Sequence, residues 1–84
     1  MKNDYIKLYP VPNDGNFSVT LLYPLVESSN KIQIINSAGI TIHEDFMLKD
    51  ENFKQFNLPY IKPGPYIFMI TSKRIIAIKK FIKE

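Results

Sequence analysis

The sequence predicts an all-β fold, a small antiparallel sandwich of about seven short strands. Three observations lead there. Thirteen Ile, eleven aromatic residues, three Val and three Thr stand against two Ala, a stock rich in β-branched and ring side chains and poor in strong helix formers. Apolar and polar residues alternate in short runs, with turn residues punctuating them every ~8–12 positions. No stretch between the runs is long enough for the crossover helix that a parallel sheet requires.

The elements follow in chain order. From Asn16 to Leu22, Phe17, Val19 and Leu21 alternate with Asn16, Ser18 and Thr20, the period of a half-buried strand. Lys31 to Asn36 sets Ile32 and Ile34 on one side, Ser37-Ala38-Gly39 offers a turn, and the alternation resumes at Ile40, Ile42 and Glu44, which together read as a hairpin. Asn52 to Leu58 is a shorter strand in which Phe53 and Phe56, three apart, break strict alternation and suggest a bulge or bend. Pro59, Pro63 and Pro65 around Gly64 mark a tight turn, since proline withholds the amide donor a sheet would need. Tyr66 to Thr71 is apolar on both sides, as a central strand is. Ser72-Lys73-Arg74 forms the next turn. Ile75 to Glu84 reads two ways: as a strand it puts Ile76, Ile78 and Ile82 on one side, and as a helix it gathers Ile75, Ile78, Phe81 and Ile82; its four Ile in ten residues and the lack of a helix cap favour the strand. The class this spacing fits is the immunoglobulin-like sandwich.

At 84 residues the chain makes one domain, 1–84, with residues 1–5 polar enough to be the end of an upstream linker. The first residues carry charge where a secretory leader needs an apolar run of about 7–15, so the chain is not expected to begin its own export. There is no apolar run of the roughly 18 residues a membrane span needs. With no cysteine, there is no disulfide framework, thiolate metal site or cysteine nucleophile. The formal charge is +3, from 11 basic and 8 acidic residues. Lys73, Arg74, Lys79, Lys80 and Lys83 gather near the carboxyl end, while Glu44, Asp45, Asp50 and Glu51 make the middle acidic.

Four motifs in order resemble a known family. Leu8-Tyr9-Pro10-Val11-Pro12-Asn13-Asp14-Gly15-Asn16-Phe17 is similar to a Tyr-Pro-Asn-Pro turn followed by Gly and a strand, with Val11 where the family usually has Asn. Ile32 to Gly39 is similar to an apolar strand that runs into a Gly-ended turn. Leu58 and then Ile61-Lys62-Pro63-Gly64-Pro65-Tyr66 resemble Leu-Pro-x-Gly-x-Tyr, with Pro65 at a usually apolar position. Lys79-Lys80-Phe81-Ile82-Lys83-Glu84 is like a basic and apolar terminal strand. Together they resemble the type A carboxy-terminal sorting domain of the type IX secretion system, found on exported proteins of Bacteroidota.

The resemblance implies a non-catalytic secretion signal at the end of a larger cargo. The partners it implies are the outer-membrane translocon and a cell-surface sortase that removes the domain or exchanges it for a lipopolysaccharide. The cargo would pass through the periplasm to the outer-membrane surface or the medium. Tyr9, Pro10, Pro12, Gly15, Gly39, Gly64 and Tyr66 are expected to shape the fold: the glycines where φ is positive or backbones approach, the prolines as stiffeners of an extended approach, and Tyr66 as a buried ring with its hydroxyl near the edge. Lys79, Lys80 and Lys83 are the expected signal contacts, with Phe81 and Ile82 as anchors. In a strand, Lys79 and Lys80 point to opposite sides.

Catalytic and cofactor chemistry finds no support. The single His43 with Glu44 and Asp45 does not make the three or four converging ligands of a metal site. None of Ser18, Ser28, Ser29, Ser37 and Ser72 has a nucleophile-elbow context, and Asp50-Glu51 reads as a polar loop. Three isolated glycines form no phosphate loop. Neither a cofactor nor a small-molecule substrate is expected. Tyr66-Ile67-Phe68 beside Lys73 and Arg74 lacks the glycine–aromatic context of an RNA-binding strand, so no nucleic acid is expected. The second reading is a non-catalytic binding or adhesion sandwich of a surface protein, which would gather exposed aromatics on one sheet face.

Overall fold

The computed structural model describes residues 5–23, 28–73 and 76–84. It is all-β, with strands β1 (Ile6–Tyr9), β2 (Asn16–Leu21), β3 (Ser29–Asn36), β4 (Thr41–Leu48), β5 (Phe53–Asn57), β6 (Gly64–Thr71) and β7 (Ile76–Lys83). Two antiparallel sheets, ordered β1-β2-β5 and β4-β3-β6-β7, face each other. Asn13 adds a one-residue parallel bridge to Lys83. The first strand therefore pairs in one sheet and its continuation touches the last strand of the other, a connection that suits the immunoglobulin-like class.

Alternation decides which residues meet between the sheets. Phe17, Val19 and Leu21 of β2 and Phe56 of β5 face Ile32 and Ile34 of β3, Tyr66, Phe68 and Ile70 of β6, and Ala77 and Phe81 of β7, all buried. Phe17 stacks on Phe56 at 5.2 Å between ring centres and tilts against Phe81 at 4.7 Å, while Phe68 meets Phe56 edge-on at 5.7 Å. Each such ring contributes roughly 1.5–3 kcal/mol by leaving water, and this aromatic seam ties the sheets together. Strand β6 is central, between β3 and β7, as its two-sided apolarity predicts.

Two expectations are corrected, the bulge in the strand at 52–58 and the extended run at Pro10 to Pro12, and one strand appears that the sequence did not show. Strand β1 is not apparent from composition, because four residues, Ile6-Lys7-Leu8-Tyr9, are too few to show a period; Ile6 and Leu8 are nonetheless buried against β2. Of the stretch expected as linker, Met1 to Asp4 lie outside the described residues, while Tyr5 packs its ring on Tyr23 at 4.6 Å and its carbonyl accepts from the amide of Leu22. Strand β5 has no bulge, as its register with β2 is unbroken. Phe56 points inward opposite Phe17, so Phe53, an odd number of residues away, must point outward. The irregularity lies in the hairpin, where Ile34 pairs with His43 but Ile35 pairs with Thr41, leaving Ile42 as the extra residue, packed against the core. Thr41 sits beside Gln33, whose Nε2 donates to its Oγ1 at 3.2 Å. Finally, Pro10, Val11 and Pro12 bend instead of running extended, because the chain must cross there from β1 to the edge of β7. Both X-Pro peptides, Tyr9-Pro10 and Val11-Pro12, are cis.

In β7, Ile76, Ile78 and Ile82 do share a side, and it is the outer one; Ala77 and Phe81 take the core. Arg74, in the turn expected at 72–74, and Ile75, the expected start of that strand, lie outside the described residues.

Candidate functional site

All four motif segments, far apart in sequence, arrive at the same end of the sandwich. The first is organised by Asn13, which is only 4% exposed. Its Oδ1 accepts from the amide of Gly15 at 2.9 Å, an Asx turn, and its Nδ2 donates to the carbonyl of Pro10 at 3.0 Å. Val11, standing where the resembling family has Asn, therefore leaves the turn with its amide ligand two residues later. Sequence reasoning missed Asn13; the available signal was an Asn two residues before a Gly. Asn13 also carries the tie to the last strand, its amide donating to Ile82 at 3.0 Å and its carbonyl accepting from Glu84 at 2.8 Å.

Gly15 then passes against the third segment. Its carbonyl accepts from the amide of Leu58 at 2.8 Å, and a Cβ built on it would lie 2.3 Å from the Leu58 carbonyl oxygen. Its φ is +98°, so both the backbone conformation and the space reserve the position for glycine. The second segment closes the β3–β4 hairpin. There Asn36 Oδ1 accepts from the amides of Ala38 and Ile40, both at 3.0 Å, and Gly39 takes φ +80° in open space.

Tyr66 anchors the third segment. Its ring is buried and stacks on Phe81 at 5.6 Å, and its hydroxyl donates to the carbonyl of Lys62, four residues upstream. This is the arrangement of a tyrosine corner at the start of the sixth strand. Replacing Tyr66 with Phe keeps the stack and leaves the carbonyl without its donor. The expected result is a loss of about 1–2 kcal/mol, read as a melting point lower by about 5–15 °C. Gly64 opens β6 with φ +147°. Tyr9, at the end of β1, shares a 3.1 Å hydrogen bond with Thr20.

In the last segment the two residues expected as anchors diverge, Phe81 being 1% exposed and Ile82 52%. Lys80 stands exposed on the outer side, while Lys79 and Lys83 are half-buried on the side of Phe81. Among the described residues none of the three is ion-paired, the pairs being Lys31–Glu44 and Lys54–Asp45. A groove of ≈ 530 Å³ runs over this end, walled by Val11, Ile35, Pro65, Ile67 and Ile82, with Lys80 its one cation. A second, of ≈ 470 Å³, lies across the turn from Tyr60 to Pro65. Among the described residues no three His, Asp or Glu side chains converge as metal ligands. Among the described residues the arrangement offers a shaped surface with apolar walls and positive charge outside any ion pair.

No curated protein matches the chain. The pattern of the secretion system C-terminal sorting domain matches residues 7–84, from β1 through every motif segment to the last residue. The chain thus belongs to the family of type IX secretion system C-terminal sorting domains.

Proposed function

We propose that residues 1–84 act as a folded export signal whose motif end is read by the outer-membrane type IX translocon. In this reading Lys79, Lys80 and Lys83 are the contacts, Phe81 holds their strand to the core, and Ile82 contributes an apolar outer contact. The coarser part follows from family membership: a C-terminal type IX sorting signal belongs to a larger cargo protein and directs it toward the cell surface or the extracellular space, and the family is not a catalytic one. The finer steps are passage of the cargo through the periplasm and removal of the domain, or its exchange for a lipopolysaccharide, by a surface sortase.

The observation that carries the proposal is the convergence of four sequence-distant motifs on one end, the first bound to the third and fourth through Asn13, Gly15 and Leu58 and the second joined by the pairing of Asn36 with Tyr66. The alternative, an adhesion module, wants a platform of exposed aromatics. Here the exposed rings are divided: Phe46 lies on the outer face of the larger sheet, Tyr9 and Phe53 on the smaller sheet, and Tyr23 and Tyr60 at opposite ends.

The test is a fusion of a signal peptide, a fluorescent reporter and residues 1–84, expressed in a strain with an intact type IX system and in one without its outer-membrane translocon. Reporter at the surface or in the medium of the intact strain alone is the expected result. Reporter held in the periplasm of both would overturn the proposal and leave the binding module in its place.

A further inference from the structure

We infer that the free edge of β7 is a strand-pairing site for an extended polypeptide segment carrying carboxylates opposite Lys79 and Lys80. This inference rests on the sorting-signal reading and supplies the mode by which the terminal strand is engaged.

The phase of the β7 backbone is set by its neighbours. The carbonyl of Ile82 and the amide of Glu84 bond to Asn13, so both turn away from β6. The residue facing Ile82 in β6 is Pro65, which has no amide to give. Orientation alternates along an antiparallel ladder, so Ile76, Ile78 and Lys80 also turn their N–H and C=O groups outward, while Ala77, Lys79 and Phe81 bond to β6. Strand β6 is the one ladder neighbour of β7 among the described residues, and Asn13 covers only its last rung. Among the described residues β1 of the other sheet packs near β7 but gives no backbone bond to Ile76, Ile78 or Lys80, so three successive rungs are unpaired there, and such a row is a template for an added strand. The Asn13 bridge shows that a chain can lie on this edge with good hydrogen-bond geometry.

Charge selects the occupant. Side chains of an added strand would sit ~4.5–5.5 Å from those of β7, next to Lys80 among Ile76, Ile78 and Ile82 on the outer side and next to Lys79 on the inner. The complement is an extended segment of apolar residues with carboxylates at those two positions. A second copy of β7 would set lysines among lysines, which like-charge repulsion disfavours, so the edge is closed to its own kind.

The experiment is Ile78→Pro in the reporter fusion described above. Proline there removes an outward amide and leaves the bonds to β6 in place, an arrangement that an edge strand tolerates. The purified variant is expected to stay folded, with surface export reduced about tenfold or more, while Ile78→Thr, which changes the side chain alone, exports normally. A folded Ile78→Pro domain exported as well as the parent overturns the edge site and leaves the sorting reading intact. Failure of the parent domain itself to export overturns the sorting reading. Should Ile78→Pro not fold, the double variant Lys79→Glu/Lys80→Glu decides. The charge reversal is expected to cut export by a similar factor, and undiminished export overturns the site.

Discussion

Gly15→Ala is expected to lower the melting point by about 15–30 °C. A Cβ at this position would fall 2.3 Å from the Leu58 carbonyl oxygen and 2.8 Å from its carbon, both backbone atoms of a segment that cannot swing aside as a side chain would. Relief requires the Asn13–Gly15 turn and the Leu58 segment to part, which breaks the 2.8 Å hydrogen bond between them. A non-glycine residue in this φ region adds strain of roughly 1–3 kcal/mol, and overpacking adds a similar amount. The sum, about 2–6 kcal/mol and centred near 4, is a large part of the roughly 4–13 kcal/mol available to a domain of this size. Gly39→Ala is the control: its φ is also positive, but no atom lies within 4 Å, so about 1 kcal/mol is expected. Thermal unfolding of the two variants side by side checks this. A Gly15→Ala melting point within about 5 °C of the parent would show that the contact yields cheaply.

Neighbouring truncations in the last strand should differ just as widely. Phe81→Ala empties a site bounded by Phe17 and Tyr66, and a loss of about 3–5 kcal/mol is expected; Ile82→Ala, half in solvent, should cost under about 1 kcal/mol. Denaturant midpoints of the two variants measure the difference, and equal midpoints would contradict the burial pattern. This bears on how the signal is dissected. Deleting Lys79 to Glu84 removes Phe81 and both Asn13 bonds together, so lost export after such a truncation reports a lost fold as readily as a lost contact. Substitutions at Lys80 and Ile82, which face outward, separate the two.

Much of the fold is legible in the sequence, and for identifiable reasons. In β2, β3 and β6 one side faces the core along the whole strand, so Phe17-Ser18-Val19 and Ile32-Gln33-Ile34 carry a period that composition alone displays. Legibility fails where partners are distant in sequence. The four residues of β1 become a strand only because β2 offers a ladder, and the role of Asn13 depends on Ile82 and Glu84, some seventy positions away. The three isoleucines on one side of β7 suggest a core face, yet the core chose the smaller Ala77 and the larger Phe81, since Phe17 and Tyr66 already fill the facing space. At the site, Gly15 and Tyr66 could be singled out because glycine and a proline-flanked tyrosine have few other uses. The convergence of the motifs could not, because it is a property of topology.

The parallel contact between Asn13 and Lys83 also fixes the mechanical character of the domain. Because the chain through β1 to Asn13 advances in the same direction as β7, Tyr5 and Glu84 lie at opposite ends of a body whose longest dimension is 33 Å. A pull between those two residues runs along the strands and across hydrogen bonds set perpendicular to them. The rungs of β1 on β2 and of β7 on β6 then bear the load together in shear, instead of opening one after another as a zip. A tag dragged through a pore by its tail, or dragging a cargo behind it, is in this geometry loaded along its strongest axis.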